Sequence, residues 1–166
     1  MNDSPQSRAP FFDSLVAARA AAPVSFNMPG HKYHAGLLPE FAELFGADIF
    51  ASDLNECVPG IDYLHAASGA LVEAQALAAA AAGSEQCYFL INGSTAGNQA
   101  MLMAAARDGQ RVIVPRAAHR SVYAGLILSG ATPVYIPPHY HPQVGFPLGV
   151  PLAAVEAQLA AHSDAV

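Results

Sequence analysis

Cys87-Tyr88-Phe89-Leu90-Ile91-Asn92-Gly93-Ser94-Thr95-Ala96-Gly97-Asn98 is the stretch on which the fold turns. Its first five residues are a continuous apolar run, the pattern of a strand covered on both faces of a parallel sheet. Asn92-Gly93-Ser94 then reads as a turn, and a helix follows to about Arg107, stopped at Gly109. Small and hydroxyl residues therefore sit at a helix N-terminus directly after a buried strand. Unpaired backbone N–H groups and the helix dipole favour an anion there, and two hydroxyls add donors for a phosphate. The alternative is that Ser94 and Thr95 only cap the helix. Neither GxxxxGK[ST] nor GxGxxG is present, so this is no standard nucleotide loop.

Downstream the alternation continues. Arg111 to Val114 reads as a second strand, His119 to Leu128 as a helix ended by Gly130, and Pro133 to Ile136 as a third strand. Pro151 can open another helix, with Leu152, Val155 and Leu159 on its inner face. Upstream, a helix from about Ala70 to Ala82 stops at Gly83. Before it, Asp13 or Ser14 can cap a helix running to Ala22, and Leu38, Phe41, Leu44 and Phe45 share one face of a second, closed by Gly46. Asp48 to His65 lacks periodicity and reads as extended and loop-like. Strands alternating with helices of this length predict βαβ units, hence an α/β fold with a mainly parallel sheet and flanking helices. Asp164-Ala165-Val166 reads like the start of a further strand, so the chain is expected to be truncated, with an apolar sheet edge uncovered. Two regions are expected: an N-terminal helical and extended segment, 1–66, and the first part of a larger domain, 67–166.

The 166 residues are 53% hydrophobic and only 12% charged, which excludes a disordered chain and predicts surfaces that meet more protein. A net charge of −6, with arginines scattered from Arg8 to Arg120, argues against a nucleic-acid binder. Cys57 and Cys87 show no zinc-finger spacing and read as free, buried thiols of a reduced compartment. The N-terminus lacks the apolar stretch of a signal peptide, and the Ala74 to Ala82 run is too short to cross a bilayer, so a soluble cytoplasmic protein is expected.

His119 follows the second strand in Pro115-Arg116-Ala117-Ala118-His119-Arg120-Ser121. Ligands gather beyond the carboxyl ends of parallel strands, so His119 and Ser94-Thr95 are expected to flank one crevice. A flat imidazole can cover a bound aromatic ring; the alternative is that His119 caps the next helix. His31 with His34, and His139 with His141, lack the further ligands that a closed metal site needs, so no metal is expected. Asp53, Glu56 and Asp62 read as loop or turn carboxylates rather than an acid/base pair.

Taken in order, Met28-Pro-Gly-His-Lys32, Asp53-Leu-Asn-Glu56, Gly60-Ile-Asp-Tyr-Leu-His65, Asn92 to Asn98, Val114 to Ser121, Leu128 to Ala131 and Pro133 to Pro137 form a set. Its order and spacing resemble the Orn/Lys/Arg decarboxylase family over nearly all of residues 11 to 152. The resemblance implies an incomplete large domain of the pyridoxal-phosphate-dependent transferase, aspartate-aminotransferase-like type. It implies pyridoxal 5'-phosphate as cofactor, its phosphate held by Ser94, Thr95 and the backbone at Ala96, and its ring stacked by His119. The Met28 to Lys32 and Asp53 to His65 segments would line the active-site entrance and the subunit contact. The implied reaction is decarboxylation of arginine, lysine or ornithine, giving a polyamine or its precursor, in a homodimer or higher homo-oligomer when full length. The chain's single lysine, Lys32, does not match the family's Schiff-base position, which is expected beyond Val166. No catalytic residue is therefore assigned here, and the segment alone is expected to be inactive. The alternatives are another pyridoxal-phosphate enzyme of the same fold, an aminotransferase or lyase, and a short non-catalytic protein that binds a phosphate or a partner.

Overall fold

A computed structural model describes residues 4–34 and 39–166, which fall into two compact units, Met1–Phe89 and Leu90–Val166. In the first unit α1 spans Pro10–Ala20, α2 Pro39–Phe45, α3 Asp48–Ser52 and α4 Ala70–Ala82. The first helix starts earlier than the expected cap at Asp13 or Ser14. Pro10 occupies its first turn, where a fixed φ and a missing N–H cost nothing, and Asp13 lies in that turn against the dipole. The turn of helix at Asp48–Ser52 corrects the loop-like reading of that stretch: it is anchored by buried Phe50 and is too short to show a period. Leu38, expected on the face of α2, lies outside the described residues. Helix α1 packs on α3 and α4.

Helix α4 has no cap from its neighbouring residue; Asp62 supplies it from a distance. One carboxylate oxygen of Asp62 accepts from the N–H groups of Gly69 (2.8 Å) and Leu71 (3.0 Å), and the other from Tyr63 (2.9 Å) and Ser68 (3.1 Å). Partial burial acts to raise the Asp62 pKa, but the backbone donors from Gly69, Ser68, Leu71 and Tyr63 together outweigh it and hold the carboxyl below its ordinary value.

In the second unit α5 (Gly93–Ala105), β1 (Arg111–Pro115), α6 (Arg120–Ser129), β2 (Thr132–Ile136) and α7 (Leu152–Ala161) follow one another. The strands β1 and β2 are parallel, in register from Arg111 with Thr132 to Pro115 with Ile136. The α/β class with a parallel sheet and flanking helices is as expected. The core is Leu102, Ala106, Val112, Val114, Leu126 and Ala131. Helices α5 and α6 approach closely at Gly125, where an added Cβ would stand 2.6 Å from Leu102 Cδ1 and 3.3 Å from Gln99 Cα.

Three expectations change here. Cys87–Ile91 is not laddered: among the described residues the sheet consists of β1 and β2, and Tyr88, Leu90 and Ile91 are exposed. Apolarity marked the run as strand-like, but no described segment pairs with it. Helix α7 turns Ala154, Val155 and Gln158 inward and leaves Leu152 and Leu159 exposed; its nearly all-apolar sequence has no polar face to fix a direction. Both cysteines are free, but neither is buried: Cys57 is exposed and Cys87 half-buried. At the chain's end, Val166 N–H donates to Arg111 O (2.9 Å) and Val166 O accepts from Ile113 N–H (3.2 Å). These two bonds have the parallel pattern and lie on the edge of β1 opposite β2.

Candidate functional site at the start of helix α5

Gly93 begins α5 with φ +65, a left-handed conformation that residues with side chains rarely adopt and glycine adopts freely. Asn92 is the N-cap, but its side chain makes no capping bond. The amides of Gly93, Ser94 and Thr95 therefore precede the helical ladder, and Ala96 is the first to enter it. Ser94 and Thr95 stand inside the first turn, not at the cap position, so the purely capping reading of these residues does not describe the structure. Their side chains are exposed, and among the described residues no hydrogen bond engages either hydroxyl. What results is an open helix N-terminus carrying two uncommitted hydroxyls, a donor set suited to an oxyanion such as a phosphate.

His119 lies at the carboxyl side of β1, as expected. The loop that carries it is fixed at several points: Arg116 N–H donates to Ile136 O (2.8 Å), and Ala118 N–H to Pro115 O (3.1 Å). The Arg116 guanidinium also stacks 4.5 Å above the Tyr135 ring. His119 is the N-cap of α6, with Nδ1 accepting from Ser121 N–H at 3.3 Å. Capping and ring coverage are thus compatible, because the cap uses Nδ1 while the residue remains exposed.

Two residues given no role from sequence connect these parts. Asn98, one turn beyond Ser94 on α5, donates from Nδ2 to Ser121 Oγ at 2.7 Å, and Ser121 Oγ lies 2.8 Å from His119 Nδ1. The helix start and the imidazole are thereby tied through one hydrogen-bonded chain across the α5–α6 contact. The i to i+4 spacing from Ser94 to Asn98 was the available signal for the first. Nothing local marked Ser121, which is only 2% exposed.

Of the remaining candidates, His31, Lys32 and Asp53 belong to the first unit and His141 to the second. His31 Nδ1 accepts from Tyr33 N–H (3.0 Å) and Nε2 lies 3.0 Å from Asp53 Oδ2, so both ring nitrogens are engaged. These two residues rim an apolar cleft of about 490 Å³ walled by Phe41, Phe45, Ile49 and Phe50. That cleft is roomy, but the donors suited to a phosphate are at the start of α5. Lys32 Nζ donates to Asn27 O. His141 Nδ1 takes the N–H of Gln143 at 3.3 Å within its own loop. Among the described residues no helix is long and apolar enough to cross a membrane.

Residues 9–165 match the family model described as Orn/Lys/Arg decarboxylase, major domain. An arginine decarboxylase of Halalkalibacterium halodurans is 39% identical over 162 residues, which are 98% of this chain and 33% of that protein. An inducible ornithine decarboxylase of Escherichia coli is 34% identical over 139 residues, covering 79% of this chain and 19% of that protein. Among solved structures, the constitutive lysine decarboxylase of Escherichia coli superposes with a TM-score of 0.77 at 25% identity, over 96% of this chain and 24% of that one. The chain thus spans a third or less of the length of these relatives.

Proposed function

The chain belongs to the Orn/Lys/Arg decarboxylase family, and from that membership we propose that it forms the cofactor-phosphate cradle of a pyridoxal-phosphate-dependent decarboxylase of arginine, lysine or ornithine. The observation that carries this reading is the uncapped start of α5, with the Ser94 and Thr95 hydroxyls unspent and His119 joined to it through Asn98 and Ser121. The cofactor phosphate is held by Ser94, Thr95 and the free amides of the first turn that lead up to Ala96, and the exposed face of His119 covers the pyridine ring. When bound, pyridoxal phosphate supplies an electron sink for the pair left behind as the α-carboxylate departs as CO₂. This chain's own residues bind the dianion, orient the ring and exclude water from one of its faces.

In this reading residues 67–166 are the first part of the cofactor-binding domain, and the active enzyme is a cytoplasmic homo-oligomer whose product is a polyamine or its precursor. The covalent role of an amine is not filled by Lys32, which sits in the turn of the first unit with its ammonium bonded to Asn27 O. In this reading the role of these 166 residues is to bind and orient the cofactor.

The test is a titration of the chain with pyridoxal phosphate, followed by ³¹P resonance and by absorbance, against pyridoxal and inorganic phosphate. Binding that needs both ring and phosphate, and that weakens at least tenfold in Ser94→Ala/Thr95→Ala and in His119→Ala, supports the assignment. Equal binding by the double variant removes it. Release of CO₂ from the three amino acids by the product of the complete reading frame tests the reaction.

A further inference from the structure

We infer that Asn98 and Ser121 are positioning residues that fix His119 in a single orientation and tautomer, with Nδ1 an acceptor and the ring proton on Nε2. Ser121 is 2% exposed, so its hydroxyl cannot turn to water. Its Oγ has two close polar neighbours, Asn98 Nδ2 at 2.7 Å and His119 Nδ1 at 2.8 Å. The amide NH₂ can only donate, so Oγ accepts from Asn98. The one hydroxyl proton is then left for Nδ1. The Ser121 backbone N–H, 3.3 Å from the same nitrogen, is a second donor aimed at it.

Two donors converge on Nδ1, and a proton there would leave both without an acceptor, the hydroxyl on a residue that is itself buried. The ring proton is therefore on Nε2, the edge of the imidazole that the chain leaves uncommitted. The seat is built by two helices: Asn98 comes from the second turn of α5 and Ser121 from the first turn of α6. These helices cross closely at Gly125.

The value of this arrangement to a ligand rests on the reading proposed above; the tautomer itself does not. A histidine held at Nδ1 keeps its ring faces and one N–H donor in place before a planar aromatic ligand arrives. No rotamer or tautomer choice then remains to be made on binding.

The experiment is long-range ¹H–¹⁵N correlation of the histidine rings in the uniformly labelled 166-residue chain, at a pH where the ring is uncharged, with His119 assigned by His119→Gln. The wild-type chain is expected to show a non-protonated, pyridine-like Nδ1 and a protonated Nε2. Asn98→Asp then reverses the chain. A carboxylate at 98 accepts the Ser121 hydroxyl proton, Oγ turns a lone pair toward the ring, and the Nδ1-protonated fraction rises about tenfold. Ser121→Ala, which deletes the hydroxyl, moves the ring toward the mixture of tautomers seen in free histidine. A wild-type ring protonated at Nδ1 would overturn the inference, as would a folded Asn98→Asp chain with unchanged ring shifts. If that variant fails to fold, the wild-type spectrum still decides. Titrating pyridoxal phosphate into the same sample separates the two claims: the expected tautomer with no ligand-induced shift at His119 upholds the positioning pair and removes the cofactor assignment.

Discussion

Replacing Gly125 by alanine probes the contact on which the site depends. In an isolated helix the change would stabilise by about 1 kcal/mol, because glycine is the poorer helix former. Here the new Cβ would lie 2.6 Å from Leu102 Cδ1, 3.1 Å from Leu102 Cβ and 3.3 Å from Gln99 Cα. Rotation of Leu102 relieves the first clash only by disturbing a core residue, and the other two atoms move only with α5 itself. Overpacking of this kind costs about 1–3 kcal/mol, and the involvement of a backbone atom places it toward the upper end. The expected net loss is therefore about 1–2 kcal/mol, read as a lower midpoint at unchanged slope in equilibrium urea unfolding. Leu102→Ala alone is expected to cost about 2–5 kcal/mol through its cavity. In that background Gly125→Ala should become neutral or stabilising, giving a coupling of at least 1 kcal/mol between the two positions. A Gly125→Ala chain as stable as the wild type, or the same cost in both backgrounds, would refute the close crossing of α5 and α6.

Other changes probe separate features. Asp62→Ala should cost about 1 kcal/mol by uncapping α4. Because the folded carboxyl titrates below its ordinary value, its contribution is complete above about pH 4 and fades as the pH falls further, so the difference between wild type and Asp62→Ala should narrow in acid urea titrations. Gly93→Ala, at φ +65, should lose about 1 kcal/mol of stability and weaken pyridoxal phosphate binding together, as read by unfolding and ligand titration on one preparation. Arg111→Ala removes an exposed pair with Asp164 at 2.9 Å and should change stability by no more than about 0.5 kcal/mol in the same unfolding assay. Tyr88→Thr/Ile91→Thr should reduce concentration-dependent association in sedimentation velocity while leaving the far-ultraviolet circular dichroism unchanged, since both side chains are exposed.

What could be read from the sequence follows from the range of the signal. Glycines at 83 and 130 and the apolar runs at 111 and 132 mark local events, and helices α4 and α6 and both strands lie within a residue or two of their expected bounds. The run Cys87–Ile91 shows the limit: its composition records a need for neighbours, while a ladder depends on residues that the described chain does not place beside it. Helix α7 was legible as a helix but not in its orientation, because alanines and leucines surround it. At the candidate site, Ser94, Thr95 and His119 announce themselves by type and by position after strands. Asn98 and Ser121 do not, because their importance comes from a contact between two helices. Asp62 acts through backbone amides up to nine residues away, and no short spacing encodes that.

The core of the second unit is drawn from residues 102–131, and β1, α6 and β2 are consecutive in the chain. Such short sequence separations favour rapid folding, since little loop entropy must be lost before the contacts form. During synthesis this segment can close as soon as β2 has emerged, without waiting for later residues. Val166, whose pairing on β1 spans more than fifty residues, must arrive afterwards. Amide exchange should accordingly be slowest in β1 and α6 and faster at the Val166 edge, so that the histidine's seat is among the first parts of the chain to set and among the last to open.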